Sequence, residues 1–159
     1  MHPVGAYDRT YIYDTIQATT LLRGRAMKRL RILLADDQSQ VVYFLNMFPD
    51  PNYNVVGAVR DQQDLVTAAM VLKPDIVLMN IDMPKLNGIQ AIRQIRNIAP
   101  NCRVILKSSH GDPETMAAAY VAGASGYLVN GAPPSAIRMV IDHPGVGEQR
   151  DPVLCNEGC

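Results

Sequence analysis

The stretch "PDIVLMNIDMPKLNG", residues 74–88, contains the most informative pattern in the sequence. Its apolar run, Ile76–Met79, is typical of a strand that is covered on both faces. Asn80 and Asp82 follow this run, and Asn87-Gly88 is a turn signal. The pattern predicts a strand, a tight loop and then a helix, with polar side chains where the strand leaves the sheet.

The same strand–loop–helix pattern repeats along the chain. Strands are predicted over 30–35, 54–59, 75–80, 102–108 and 126–130, and helices over 39–48, 61–73, 87–99, 112–124 and 133–142. Asp61 and Asp112 are typical N-cap residues, and Pro113 stands at a first helical position. Repeated strand–helix–strand units predict an α/β fold with a parallel sheet and helices on both faces.

Composition excludes several classes of protein. The 15 basic and 15 acidic residues among 159 cancel, so no global field favours nucleic acid or an anionic membrane. No apolar run approaches the roughly 18 residues of a membrane span, and the N-terminus has no apolar signal core. The odd count of three cysteines, Cys102, Cys155 and Cys159, fits a reducing compartment. We therefore expect a cytoplasmic protein.

Three segments are expected. Residues 1–27 are predicted to be a loosely ordered N-terminal extension, or sequence upstream of a start at Met27. Residues 28–143 form the predicted domain. Residues 144–159 are a predicted tail, and its Cys155 and Cys159 are no more than half of a metal site.

Polar residues end or directly follow four of the five predicted strands. They are Asp36 and Asp37, Asn80 and Asp82, Ser108 and Ser109, and Asn130. In a parallel sheet, ligands and chemistry collect at the carboxyl ends of the strands. Acids together with a hydroxyl suit a hard cation and a phosphoryl group.

Four ordered segments carry a resemblance to a known family. They are "LLADDQ" (33–38), "PDIVLMNIDMPKLNG" (74–88), "VILKSSH" (104–110) and "AGASGYLVNGAPPSAI" (122–137). Together they resemble the receiver domain of bacterial two-component response regulators, and the last segment is most like the LuxR-type subfamily. The resemblance implies a doubly wound, flavodoxin-like sheet of order 2-1-3-4-5 and the convergence of the strand-end residues at one edge.

The resemblance also implies a role for each of these positions, and two of them depart from the family pattern. Asn80 stands where the family has its phosphate-accepting aspartate, and Asn130 stands where it has a phosphate-contacting lysine. Asp36 and Asp37 match the acidic pair, whereas Ser108 and Tyr127 match the hydroxyl and aromatic switch positions. Asp82 falls where the family uses a backbone carbonyl to hold the metal. No cofactor is expected, and any Mg²⁺ held by Asp37 and Asp82 should be weak.

The two departures act in the same direction. A carboxamide is a far weaker nucleophile than a carboxylate. Asn80 also removes a charge that would interact with a cation 4 Å away by roughly 4 kcal/mol at an effective dielectric near 20. Because Asn130 is neutral, the position of the family's lysine has no positive charge to pair with a phosphate. The sequence therefore predicts a pseudo-receiver that works without aspartyl phosphorylation and is not an enzyme.

Simpler roles compete with these assignments. Asp36 and Asp37 are also well placed to cap the first helix. Asp82 is a candidate substitute acceptor. Lys107 is a candidate replacement for the missing lysine, but strand alternation turns it away from Ser108, and we expect it on the surface.

Three function classes follow. The first is a protein-interaction module that uses the last two helices and last strand to bind itself, a partner or a histidine kinase. The second is a truncated LuxR-type regulator, since "GVGEQRDPVL" (145–154) resembles a linker to an output domain, although direct DNA binding by this chain is not expected. The third is an enzyme or small-molecule binder. It ranks last because "ADDQSQ" (35–40) lacks the glycines of a phosphate loop.

Overall fold

A computed structural model describes residues 29–47, 50–85, 87–109 and 111–143. The expectations for residues 1–27 and 144–159 fall outside these residues. No helix in the described part is long and apolar enough to cross a membrane.

Strands and helices alternate along the described residues. The strands are β1 (Leu30–Ala35), β2 (Tyr53–Val59), β3 (Ile76–Asn80), β4 (Arg103–Ser108) and β5 (Gly126–Val129). The helices are α1 (Gln38–Met47), α2 (Gln62–Leu72), α3 (Gly88–Ile98), α4 (Pro113–Ala122) and α5 (Pro134–Asp142). The predicted elements are all present; β1 has the predicted ends, and every other end lies within two residues of its prediction.

All neighbouring strands are parallel, and their order is β2-β1-β3-β4-β5. The predicted fold class and strand order are therefore confirmed. Because every strand runs the same way, the ends of β1, β3, β4 and β5 open onto one edge of the sheet.

Strand alternation divides the interior into two cores. One face carries Leu33, Val77 and Leu106 and packs against α2, α3 and α4. The opposite face carries Leu34, Leu78 and Ile105 and packs against α1 and α5. This explains why the central strands are apolar throughout, because both of their faces are covered.

The helix starts follow from local capping. Asp61, Asn87 and Asp112 each accept a hydrogen bond from the backbone N–H three residues later, at 2.8, 3.1 and 2.8 Å. The predicted caps at Asp61 and Asp112 are thus confirmed. Asn87 begins α3 in the same way.

Candidate functional site at the carboxyl ends of the strands

Asp36 and Asn80 form the buried centre of the site. They are 7% and 9% exposed, respectively. Asp36 directly follows β1, and Asn80 is the last residue of the neighbouring strand β3. The Asn80 Nδ2 donates a hydrogen bond to Asp36 Oδ1 at 3.0 Å, and the Asp37 backbone N–H donates to the same oxygen at 2.8 Å. Asn80 Oδ1 accepts from the Asp82 backbone N–H at 2.9 Å. The carboxamide thus uses both its donor and its acceptor, and a carboxylate could not make the first of these bonds.

Lys107 also reaches the pocket that Asp36 and Asn80 form, so the expectation that it lies on the surface is wrong. Its Nζ is 2.5 Å from Asp36 Oδ2, and its side chain is 16% exposed. Alternation does turn Lys107 away from Ser108, as expected. However, Lys107 pairs in register with Asn80, so these two side chains share the α1 and α5 face of the sheet. That face is where the pocket lies.

Asp37 caps α1 rather than lining the pocket. It is exposed, and its Oδ1 accepts from Ser39 Oγ at 2.7 Å and from the Gln40 backbone N–H at 3.1 Å. The hydrogen bond from Ser39, followed by the one from Gln40, lowers the pKa of Asp37 below its ordinary value. Of the two roles open to the acidic pair, Asp37 makes the contacts of a helix cap and Asp36 makes those of a pocket carboxylate.

Asp82 lies at the rim and binds the start of the loop after β4. Its Oδ2 accepts from both the backbone N–H and the Oγ of Ser109, each at 2.6 Å. Its side chain is exposed. The carboxylate therefore ties two loops of the rim together.

Ser108 and Tyr127 meet on the opposite face of the sheet, inside the core that contains α2 to α4. Each is 2% exposed, and their hydroxyls share a hydrogen bond. Burial, the largest cause, raises the pKa of Tyr127, and the Ser108 hydrogen bond opposes the rise. The aromatic ring is thus turned inward and coupled to the hydroxyl at the end of β4.

Asn130 lies one residue beyond β5 and is exposed. Its backbone N–H donates to the Ser108 carbonyl at 2.7 Å, which holds the ends of β4 and β5 together. The position is therefore at the expected edge of the sheet, with a neutral side chain.

The oxygen atoms at this edge do not fit the magnesium ion that the fold implies. Mg²⁺ prefers a near-octahedral set of oxygen ligands that includes carboxylates. Asp36 already accepts from Asn80, Asp37 and Lys107, and the Asp37 and Asp82 carboxylates are engaged elsewhere. Within the described ranges, no three His, Cys, Asp or Glu side chains are grouped to hold a metal.

Comparison with known proteins identifies the family. The response regulator receiver domain profile matches residues 32–142. The chain is 35% identical over 108 residues to the chemotaxis protein CheY of Thermotoga maritima, and the match covers 67% of this chain and 90% of CheY. The chain therefore belongs to the receiver domain family of two-component response regulators.

Other relatives are longer proteins that match this chain over part of their length. The transcriptional regulatory protein YxjL of Bacillus subtilis is 32% identical over 124 residues, which are 76% of this chain and 56% of YxjL. A protein-glutamate methylesterase of Thermotoga maritima is 42% identical over 82 residues, which are 50% of this chain and 24% of that enzyme. The chain thus corresponds to only part of these relatives.

Solved structures show the same relationship. A LuxR-family two-component response regulator from Aurantimonas sp. SI85-9A1 superimposes with a TM-score of 0.66 at 30% identity and covers 72% of this chain and 84% of its own. The signal receiver domain of NarL from Mycobacterium tuberculosis gives 0.65 at 26% identity and covers 73% and 96%.

Proposed function

We propose that this receiver domain is a pseudo-receiver, which signals through protein–protein contacts without aspartyl phosphorylation and without catalysis of its own. The observation that carries the proposal is the Asn80 carboxamide. It stands at the phosphoacceptor position and donates to Asp36 at 3.0 Å, so the pocket is built around an amide. A second neutral residue, Asn130, occupies the position of the phosphate-contacting lysine.

The direct test is phosphate incorporation from acetyl phosphate in the presence of Mg²⁺, measured by intact mass. We expect no adduct on the unmodified protein. Asn80→Asp should incorporate phosphate slowly, and Asn80→Asp with Asn130→Lys should do so faster, because a lysine stabilises the charge that develops on the phosphoryl oxygens.

Asp82 is the alternative acceptor, and a matched variant separates the two readings. The Asp82 oxygen that binds Ser109 already accepts two hydrogen bonds, which lowers its nucleophilicity. If the unmodified protein does incorporate phosphate and Asp82→Asn abolishes it, then Asp82 is the acceptor and the pseudo-receiver proposal is wrong.

A domain without phosphate control needs a standing interaction surface, which we place on α4, β5 and α5. Val121 on α4 is 85% exposed, and Met139 on α5 is 43% exposed. Ala117 and Ala118 extend the exposed apolar surface of α4. We propose that this surface binds a second copy of the chain.

Light scattering across a concentration series tests this surface. Val121→Glu should shift the protein toward monomer. Val71→Glu on α2, where Val71 is 72% exposed, is the matched control and should leave the assembly unchanged. A strict monomer at high concentration would favour a different partner, such as a histidine kinase. If Val121→Glu and Val71→Glu changed the monomer fraction equally, the dimer contact would lie elsewhere. The surface of α1 and α5 would then be the next candidate interface.

A second candidate function is the receiver of a LuxR-type transcriptional regulator. It is favoured by the match to one part of YxjL and by the LuxR-family structure. Sequencing the gene beyond the codon of Cys159 tests it, because an in-frame helix-turn-helix would promote this candidate.

A further inference from the structure

Lys107 lies where it bridges three elements of the site. It belongs to β4, pairs in register with Asn80 of β3 and reaches across that residue to Asp36, which follows β1. Its Nζ also donates to Gln40 Oε1 of α1 at 3.4 Å. The ammonium therefore sits between the end of β1 and the first turn of α1.

We propose that the Lys107 ammonium is the resident cation of this pocket and takes the place of both a bound metal and a lysine at position 130. The inference rests on the proposed function and deepens it, because it names what holds the site in one state. Lys107 is thus a positioning residue: it neutralises Asp36 and binds the ends of the strands together without phosphate.

The charge balance supports this role. A carboxylate that is 7% exposed needs a counter-charge, since burial of an unpaired charge is costly. Asn80 and Asn130 are neutral, and Lys107 is 2.5 Å from Asp36. A lysine attached to the chain also does not dissociate, so the pocket remains neutralised at every magnesium concentration.

The same arrangement opposes a divalent ion. An ion bound to Asp36 would lie beside the ammonium, and like charges this close repel. The ion would also have to displace the Asn80 hydrogen bond or the Lys107 ion pair from the carboxylate. Removal of the ammonium should therefore make the pocket more receptive to magnesium.

The test compares Lys107→Met, which keeps the apolar stem and removes the charge, with Lys85→Met as the matched control. Lys85 is an exposed lysine of the loop between β3 and α3. Unfolding by urea and by heat is followed with and without millimolar MgCl₂, and NaCl is used to equalise ionic strength. Lys107→Met should raise the unfolding equilibrium constant about a hundredfold, because it leaves Asp36 unpaired. Of the unmodified protein, Lys107→Met and Lys85→Met, only Lys107→Met should have a higher Tm with magnesium than without it. Stability and magnesium response equal to those of Lys85→Met would overturn the inference.

A measurement on the unmodified chain keeps the inference testable if Lys107→Met does not fold. In a ¹H–¹⁵N spectrum of the lysine ammonium groups, Lys107 should give a cross-peak that is protected from exchange with water and that Lys107→Arg removes. A rapidly exchanging Lys107 would overturn the inference while leaving the proposed function intact. A phosphate adduct on the unmodified protein would instead contradict the proposed function, whatever the exchange rate of the Lys107 ammonium.

Discussion

Replacement of Asn80 by aspartate should destabilise the domain at neutral pH. The substitution exchanges the N–H that donates to Asp36 at 3.0 Å for a carboxylate oxygen. Two unit charges at about 3 Å repel by about 5 kcal/mol at an effective dielectric near 20. A lost hydrogen bond to a charged acceptor adds about 2 kcal/mol. Lys107, already paired with Asp36, attracts the new carboxylate as well and offsets most of this repulsion, by about 4 kcal/mol for charges about 4 Å apart.

We therefore expect a net loss of about 3 kcal/mol, or a decrease in Tm of about 10 °C for a domain of this size. The pKa of the new carboxyl should be raised in the folded state, because protonation relieves the repulsion from Asp36. A raised acid pKa destabilises the fold above that pKa, and the deficit disappears as the pH falls below the unfolded value of about 4. The difference from the unmodified protein should thus shrink on acidification.

Urea unfolding followed by circular dichroism, from pH 7 to pH 4, measures both effects. Asn80→Ala is the control, since it removes the hydrogen bond without adding a charge, and its deficit should depend much less on pH. If Asn80→Asp is as stable as the unmodified protein at pH 7, or if its deficit does not change with pH, the close pairing of Asn80 with Asp36 is refuted.

Three further predictions follow from individual contacts. Asp37→Ala should cost about 1 kcal/mol by loss of the α1 cap, whereas Asp37→Asn, which keeps an acceptor oxygen but not the charge, should lose less in urea titrations. Because the pKa of Asp37 is lowered on folding, its charge contributes stability above the unfolded pKa, and this contribution is lost as the pH falls through the folded value. Burial raises the pKa of Cys102 from 9.0 to about 11. At pH 8 the thiolate fraction of Cys102 should therefore be about 100-fold lower than that of an unshifted thiol. The rate of modification by a thiol reagent, measured in a variant whose two tail cysteines are replaced by serine, should be lower to match. Gly126→Ala should cost about 1–3 kcal/mol, because its Cβ would lie 2.6 Å from Val140 Cγ1, and Val140→Ala in the same chain should recover part of that loss in thermal unfolding.

The fold could be predicted from local signals because each element is delimited by its own residues. Apolar runs define the central strands, and aspartates cap α2 and α4 where the sequence predicts them. The order of the strands came from the resemblance rather than from these signals. Sequence reasoning also placed Asp36 and Asn80 at one sheet edge, since parallel strands end together.

The role of Lys107 could not be read from its own strand. Alternation within β4 shows only that Lys107 and Ser108 point in opposite directions. The register between β3 and β4, which pairs Asn80 with Lys107, decides which face carries the pocket. The alternation in both strands, taken together, indicates this face. Leu78 and Ile105 belong to the same core, and Asn80 and Lys107 lie two residues after them on the same face. The length of the lysine side chain then allows contact with Asp36 across a whole strand.

Whether the pocket binds a phosphoryl group can be observed in a ¹H–¹⁵N spectrum of the unmodified protein titrated with Mg²⁺ and beryllofluoride, a phosphoryl mimic. With an amide at Asn80 and the Lys107 ammonium on Asp36, the backbone signals of the strand ends should remain unchanged. Asn80→Asp, run in parallel, should show new signals at those positions. Saturable shifts in the unmodified protein, confined to the ends of β1, β3 and β4, would contradict the claim that this receiver works without phosphate.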